Sequence, residues 1–242
     1  MRVLLALLAV FVLGGCSNRE ESDHRRTVVA SFYPLAWATE QVTGRGAKVV
    51  NLTPPGVEPH DVELTPSDVA LIHDAELVVY VGSGFQPAVE GAVADRAGSS
   101  LDVLDGAGDP HVWLDPVAFA GIVQRIASRA KQLGLEPEAA GAVTSLVSRL
   151  RGLDVQYRRG LEDCERRVVV TAHAAFGRLV RRYGLTEISL AGRTPESEPS
   201  PRDLERLVAE VRASRATTVF AEPLVSSRVA ETVTRETGAR VA

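Results

Sequence analysis

The stretch from Asp109 to Pro116 (DPHVWLDP) contains a residue suited to metal chemistry, His111. Prolines on both sides restrict the backbone, so the imidazole is held in its loop. Asp109 and Asp115 are close enough in sequence to accept a hydrogen bond from one ring nitrogen, which is the usual way a liganding imidazole is oriented. A single histidine between prolines is more often structural than functional, so this stretch alone does not decide between the two roles.

Three of the five histidines occupy equivalent places in the predicted fold: His60, His111 and His173. Each follows the carboxyl end of a predicted parallel strand, which is the edge where open α/β sheets bind ligands. They are too far apart in sequence for a local finger-type site. They therefore predict a site between two lobes, with two ligands from the first and one from the second. The alternative is three unrelated loop histidines. His73, at the end of a predicted helix, is expected at the surface.

Cysteine and charge exclude several other functions. The chain has two cysteines, and after Cys16 only Cys164 remains, so no intramolecular disulfide is expected. Any metal must therefore be held by histidine and carboxylate side chains. The net charge is −4, and the sequence has neither a basic stripe nor an aromatic platform, so a nucleic-acid partner is not expected.

Residues 1–15 are predicted to be a secretory signal peptide. A charged start precedes an apolar run that is too short to remain as a membrane-spanning helix. The run ends in LGGC, which resembles the lipobox of bacterial lipoproteins, in which the cysteine is lipid-modified. Cys16 is thus the expected lipidation site and residues 16–26 a polar tether; an ordinary signal peptide with an incidental cysteine is the alternative. We expect an extracytoplasmic protein anchored to the cell membrane.

From Thr27 onward, strand-like and helix-like segments alternate, which is typical of parallel α/β sheets. The patterns predict four strands in the first half, at residues 27–32, 47–52, 77–81 and 101–104. Only three clear strands are predicted in the second half, at residues 167–171, 186–190 and 217–220.

The segment between the two groups of strands is predicted to be helical. Residues 117–133 are amphipathic, and a second helix of about 24 residues opens at Pro137; it would rise about 36 Å, enough to run past both lobes. The predicted fold class is α/β, with two lobes of parallel, four-stranded-type sheets flanked by helices, a long spine helix bridging them, and the metal site between them. The expected divisions are an N-terminal lobe at 27–116, a helical connection at 117–160 and a C-terminal lobe at 161–242.

Five segments, in order along the mature chain, resemble the metal-binding solute-binding proteins of bacterial zinc and manganese ABC importers. They are residues 56–68 (GVEPHDVELTPSD), 109–116 (DPHVWLDP), 170–177 (VTAHAAFG), 198–201 (EPSP) and 219–223 (VFAEP). The resemblance implies two lobes with the ion between them and delivery of that ion to a membrane permease with its ATPase. It also places the first three ligands of the family on His60, His111 and His173.

The resemblance also bears on the choice of metal. Members of the family with histidine at the third ligand position are mostly associated with zinc, and those with a carboxylate there with manganese. Three neutral imidazoles favour zinc on chemical grounds as well, because manganese prefers oxygen ligands. Zinc is therefore the expected ion and manganese the alternative.

Two features depart from the family pattern. Many zinc members carry a His/Asp-rich insertion between the first two ligands, whereas residues 61–110 contain only His73. The family's fourth ligand, an aspartate, would lie past Ala242, so the C-terminal lobe is expected to be truncated, or the chain to be a shortened member with three protein ligands. Zinc tolerates three protein ligands. Glu222, which follows the predicted strand 217–220, is the candidate fourth ligand; a structural acceptor of loop N–H groups is the alternative.

Three classes of function remain open at this point. A binding protein for metal import, which is not an enzyme and is expected to be a monomer, is the leading hypothesis. A zinc-dependent hydrolase would need a general base, for which only Glu222 and neighbouring acids are available, and the sequence has no HExxH helix. A surface adhesin with the same fold is the third, since some lipoproteins of this family resemble attachment factors.

Overall fold

The structure is a computed structural model of the chain. It describes residues 26–104, 108–135, 141–195, 197, 199–224 and 226–242. The predicted signal peptide, Cys16 and nearly all of the tether lie outside the described residues, as does the predicted start of the second long helix at Pro137. Within the described ranges, no helix combines the length and the apolar character needed to cross a membrane.

The first half of the chain forms a four-stranded parallel sheet with strand order β2-β1-β3-β4. Its strands are β1 (Thr27–Ala30), β2 (Lys48–Asn51), β3 (Leu77–Tyr80) and β4 (Ser99–Asp102). Helices α1 (Tyr33–Thr43), α2 (Pro66–Asp74) and α3 (Pro87–Ala94) connect them. The predicted fourth strand was placed too late, because the ladder with β3 begins at Ser99, before the apolar residues that marked it in the sequence.

The two central strands are buried on both faces, which explains why their sequences are almost wholly apolar. Alternate side chains serve two different cores. Val28 and Leu77 point into a large cluster with α1 and the connecting helices, whereas Val29 and Val78 pack into a smaller cluster with α2 and α3. The first lobe is therefore a three-layer unit, and the loops at the carboxyl edge of its sheet are held by packing on both sides.

Two long helices follow, α4 (Pro116–Gln132) and α5 (Ala142–Leu161). The first half of α5 buries Leu146 and Leu150 in the core of the first lobe. Its second half contacts the other lobe, where Tyr157 stacks on Tyr183 with ring centroids 5.1 Å apart and Asp154 accepts a hydrogen bond of 3.2 Å from the Tyr183 hydroxyl. The described part of this helix is shorter than predicted, but it bridges both lobes.

The second half of the chain repeats the same sheet, with strand order β6-β5-β7-β8. Its strands are β5 (Val168–Thr171), β6 (Thr186–Ser189), β7 (Thr218–Phe220) and β8 (Arg240–Val241), and its helices are α6 (Gly177–Arg182), α7 (Pro201–Ser214) and α8 (Arg228–Thr237). The prediction of only three strands here was wrong. β8 pairs with β7 through two residues, a segment too short to produce a recognisable pattern in the sequence. The predicted fold class is confirmed.

Arg96 is a buried arginine that ties two elements of the first lobe together. Its side chain donates to the carbonyl oxygen of Ile72, at 2.8 Å, and to the carbonyl oxygens of Ala75 and Ser99. It thereby joins the end of α2 to the start of β4. Burial lowers the pKa of the guanidinium from its usual value, and the contacts described for it are to carbonyl groups.

We predict that Arg96→Met lowers the free energy of unfolding by about 2–4 kcal/mol, because two buried carbonyl groups and one partly buried carbonyl group lose their donor. Urea unfolding monitored by circular dichroism measures the change. Arg45→Met, at an exposed arginine, is the control and is expected to stay within about 0.5 kcal/mol of the wild type. A wild-type midpoint for Arg96→Met would contradict the structural role assigned to this side chain.

Candidate metal centre

Two of the three histidines are positioned by the same local arrangement, a carboxylate two residues earlier with a proline between. The Oε1 atom of Glu58 lies 2.6 Å from Nδ1 of His60 and accepts the His60 backbone N–H at 3.4 Å. The Oδ1 atom of Asp109 lies 2.8 Å from Nδ1 of His111 and accepts the His111 backbone N–H at 3.1 Å. Each carboxylate therefore fixes both the backbone and the ring of its histidine.

These contacts set the charge and the tautomer of each pair. Burial by itself would raise the pKa of Glu58 and of Asp109, but hydrogen bonds from the ring and backbone of the adjacent histidine outweigh it, so the pKa of both carboxyls is lowered. An ionised carboxylate only accepts hydrogen bonds, so Nδ1 carries the proton. The Nε2 atoms of His60 and His111 are then left with free lone pairs, as a metal ligand requires.

His173 reaches the same cleft from the second lobe, in the loop after β5. The Thr171 hydroxyl lies 2.9 Å from the His173 carbonyl oxygen and 2.8 Å from Oε1 of Glu187, either of which can accept its single proton. Glu187 also accepts the Phe176 backbone N–H at 3.1 Å. The Oε1 atom of Glu222 lies 2.7 Å from Nδ1 of His173. The angle of this contact is not that of a hydrogen bond, so the carboxylate is close to the ring nitrogen without a hydrogen bond between them.

The three imidazoles converge on one point between the lobes. Their ring centroids are 5.4 to 5.8 Å apart, and one nitrogen from each ring lies within 4.8 Å of the others. The side chains of His60, His111 and His173 are 7%, 1% and 3% exposed, and no hydrogen-bond partner is found for any of the three Nε2 atoms among the described residues.

A buried polar atom without a partner costs about 1–3 kcal/mol, so three at one point require an explanation. A cation bound by three nitrogens accounts for all of them, and three imidazoles suit zinc.

An apolar wall lines one side of this cleft, which has a volume of about 270 Å³. The ring of Phe85 lies 4.6 Å from His60 and 6.2 Å from His111, measured between centroids. Trp113 lies 5.2 Å from His111 and packs on Phe32, whose ring is 4.6 Å away. The aromatic rings support the imidazoles and reduce access of water from the core side, which strengthens electrostatic interactions in the cleft.

The structure brings the three predicted histidines together and separates them from His73, which is exposed in the last turn of α2. The expectation that Asp109 orients His111 is met. The same expectation for Asp115 was wrong: its side chain accepts the backbone N–H groups of Val117 and Ala118 and caps α4. A residue directly before a helix is better placed for its first turn than for a preceding ring.

Sequence reasoning missed Glu58. The available signal was the repeated pattern acid–proline–histidine, which occurs at residues 58–60 and again at 109–111. Glu222 lies beside His173, on the rim where the sequence placed it.

Comparison with known proteins agrees with this geometry. Residues 28–242 match the family described as zinc-uptake complex component A, periplasmic. The chain is similar to the high-affinity zinc uptake system protein ZnuA of Bacillus subtilis, at 31% identity over 98% of this chain and 84% of that protein. It is also 29% identical to the zinc-binding lipoprotein AdcA of Streptococcus pneumoniae, over 98% of this chain but only 53% of AdcA, so it spans about half of that relative's length.

Solved structures show the same fold. The laminin-binding protein Lmb of Streptococcus agalactiae, described as bifunctional with adhesin and metal-transporting activity, superposes with a TM-score of 0.82 at 28% identity, covering 90% of this chain and 88% of that one. The AdcAII protein of Streptococcus pneumoniae superposes with a TM-score of 0.78 at 26% identity, covering the same shares of the two chains. With the family match extending over nearly the whole described chain, this protein belongs to the periplasmic zinc-uptake component A family.

Proposed function

We propose that this chain captures zinc outside the cytoplasm and delivers it to the permease and ATPase of an ABC importer. The observation that carries the proposal is the convergence of His60, His111 and His173 between two lobes: one nitrogen of each ring lies within 4.8 Å of the others, and each ring has a buried, unpartnered Nε2 atom. A site that carries an ion to a partner must bind the ion without using it for catalysis. Imidazole ligands on rigid loops meet this requirement. The relatives named for zinc uptake and zinc binding support the same function.

Zinc is the proposed ion and manganese the alternative. A tetrahedral zinc site with bonds of about 2.0–2.1 Å needs ligand atoms roughly 3.4 Å apart, which is compatible with nitrogens that all lie within 4.8 Å of one another. Manganese prefers oxygen ligands, and the wall formed by Phe32, Phe85 and Trp113 offers none from its side chains. The donor set therefore favours the softer ion.

Glu222 is proposed to orient His173 and not to bind the metal. Its Oε1 atom lies 2.7 Å from Nδ1 of that ring, about as close as Glu58 lies to His60 and Asp109 to His111, although without the hydrogen-bond angle of those two pairs. Zinc with three protein nitrogens accepts water or another oxygen ligand at the fourth position. Direct coordination by Glu222 is the competing role, and substitution of this residue tests it.

The location and the division of the chain are proposals as well. The family's periplasmic description and the name of the AdcA lipoprotein support an extracytoplasmic protein, and the cysteine of the lipobox-like sequence supports a lipid anchor at Cys16. We propose the lobe boundaries 27–116 and 161–242 with the helical connection 117–160 between them, and a monomer as the working form.

The hydrolase hypothesis is less well supported than binding. The two carboxylates that line the cleft in the described part of the chain, Glu58 and Glu222, both face imidazole Nδ1 atoms instead of an open position for water. The adhesin activity described for the Streptococcus agalactiae protein belongs to that protein, and the comparisons do not favour it for this chain.

We predict that His60→Ala, His111→Ala and His173→Ala each weaken zinc binding by more than about 100-fold, beyond the 10–100-fold effect of residues that only orient ligands. The fold should survive, since none of the three lies in a strand or an α-helix. Isothermal titration with zinc measures the affinities, and His73→Ala is the matched control. Wild-type affinity in any one of the three variants would remove that residue from the ligand set.

Zinc is expected to raise the melting temperature, because a ligand that binds only the folded state stabilises it by mass action. Protons compete with zinc for imidazole nitrogens, so this rise should shrink as the pH is lowered from 8 to 5 at a fixed zinc concentration. Scanning calorimetry with and without zinc at each pH gives the difference. An equal rise at both values would argue against imidazole ligands.

Asp109→Asn is predicted to weaken zinc binding by about 10–100-fold while His111 stays in place. The substitution removes the negative charge of Asp109. That charge holds the proton on Nδ1 of His111 and makes Nε2 a stronger electron-pair donor to the metal. Competition with a chelating dye measures the affinity, and Asp61→Asn, an exposed acid next to His60, is the control. Similar affinities for the two variants would show that the Asp109 charge is not needed.

A further inference from the structure

The loop that carries His111 belongs to the first lobe, but it is held at both ends by the second. In helix α6, Arg178 donates from Nε to the backbone carbonyl of Asp109 at 2.7 Å, and Arg181 lies 3.6 Å from Oδ2 of the same aspartate. At the other end, Arg182 donates from Nε to Oδ1 of Asp115 at 2.5 Å. We call these contacts between α6 and the segment 109–115 the interlobe latch.

Residues on both sides of the latch, at the start of α4 and at the start of α6, are arranged to make these contacts. Asp115 is 8% exposed in its side chain, and the same Oδ1 atom caps α4, so its pair with Arg182 is fixed in place. A Cβ atom on Gly177, the first residue of α6, would come within 3.1 Å of Oδ2 of Asp109. The absence of a side chain there lets the helix approach the carboxylate that orients His111. The latch therefore consists of several contacts, whereas an isolated surface ion pair contributes little to the stability of a protein.

The latch also connects two of the metal-binding loops. Helix α6 begins four residues after His173, and the loop between them is anchored by Glu187. The same helix contacts Asp109, whose carboxylate holds the ring of His111. The separation of His111 and His173 across the lobe boundary is therefore set through α6.

We propose that Arg178 and Arg182 are positioning residues that hold the His111 loop against the second lobe, so that a bound zinc ion leaves only when the interlobe latch opens. The proposal rests on the proposed zinc site and adds a control of release to it. A preformed set of ligands loses less conformational entropy when it binds the ion, which raises the affinity. We expect this gain in affinity to appear mainly as a slower dissociation rate. A partner that separates α6 from the loop would then release the ion.

The test is stopped-flow release of zinc from the full chain into an excess of chelating dye, together with the rate of zinc association. Arg178→Met and Arg182→Gln are each expected to release zinc about tenfold faster, the lower end of the effect of residues that support a ligand. Association should change by less than about twofold. Arg182→Lys, which keeps a positive charge beside Asp115, should release more slowly than Arg182→Gln.

Arg206→Gln is the matched control, since it removes one arginine and its exposed ion pairs with Asp203 and Glu210 from the same lobe. It should release zinc at the wild-type rate. Arg178→Met leaves the Asp115 cap and its pair with Arg182 intact, so at least this variant should fold, which circular dichroism checks.

Wild-type release from both latch variants, or equal acceleration in Arg206→Gln, would overturn the proposal. So would a lower melting temperature of the metal-free variants with unchanged release, because it would mean a purely structural role. A wild-type chain that binds no zinc would refute the proposed function and this proposal together. Zinc binding by the wild type, with the same affinity in both latch variants, would refute this proposal alone.

Discussion

The contact between a carboxylate and Nδ1 of an imidazole is the interaction on which the metal centre depends. Glu58 and Asp109 each accept the ring proton and the backbone N–H of the histidine two residues later, and Glu222 approaches the ring of His173 from another loop. With the proton of His60 and of His111 held on Nδ1, the Nε2 lone pairs of these two rings are free to bind a cation. Without these acids, three buried imidazoles in an apolar cleft could rotate, and their lone pairs would no longer converge.

The rest of the fold brings these local units together. Both lobes have the same order of parallel strands, so the loops after their strands open at equivalent edges, and the two edges face each other across the cleft. Helix α5 contacts the core of the first lobe and Tyr183 of the second, and α6 holds the His111 loop. The connections run on more than one side of the cleft, which limits the relative movement of the lobes.

The surroundings of the histidines also bear on the choice of ion. The wall of Phe32, Phe85 and Trp113 packs against the imidazoles and supplies no oxygen from its side chains, while the acids of the cleft are directed at ring nitrogens. An ion that needs six oxygen-rich contacts finds few here, whereas one that accepts four mixed ligands is well matched. Selectivity in this site would therefore come as much from what surrounds the three nitrogens as from the nitrogens themselves.

The sequence by itself determined the α/β class, most strands and helices, the three histidines and the family, because apolar periodicity and the residues after each strand are local signals. Only the tertiary structure decided which acid serves which group. Asp115 and Asp109 are equally plausible neighbours of His111 in sequence, but Asp115 is taken by the first turn of α4 and by Arg182. Two further features depend on partners that are distant in the chain: the two-residue strand β8 and the approach of α6 to the His111 loop. Such contacts cannot be predicted from short-range sequence patterns.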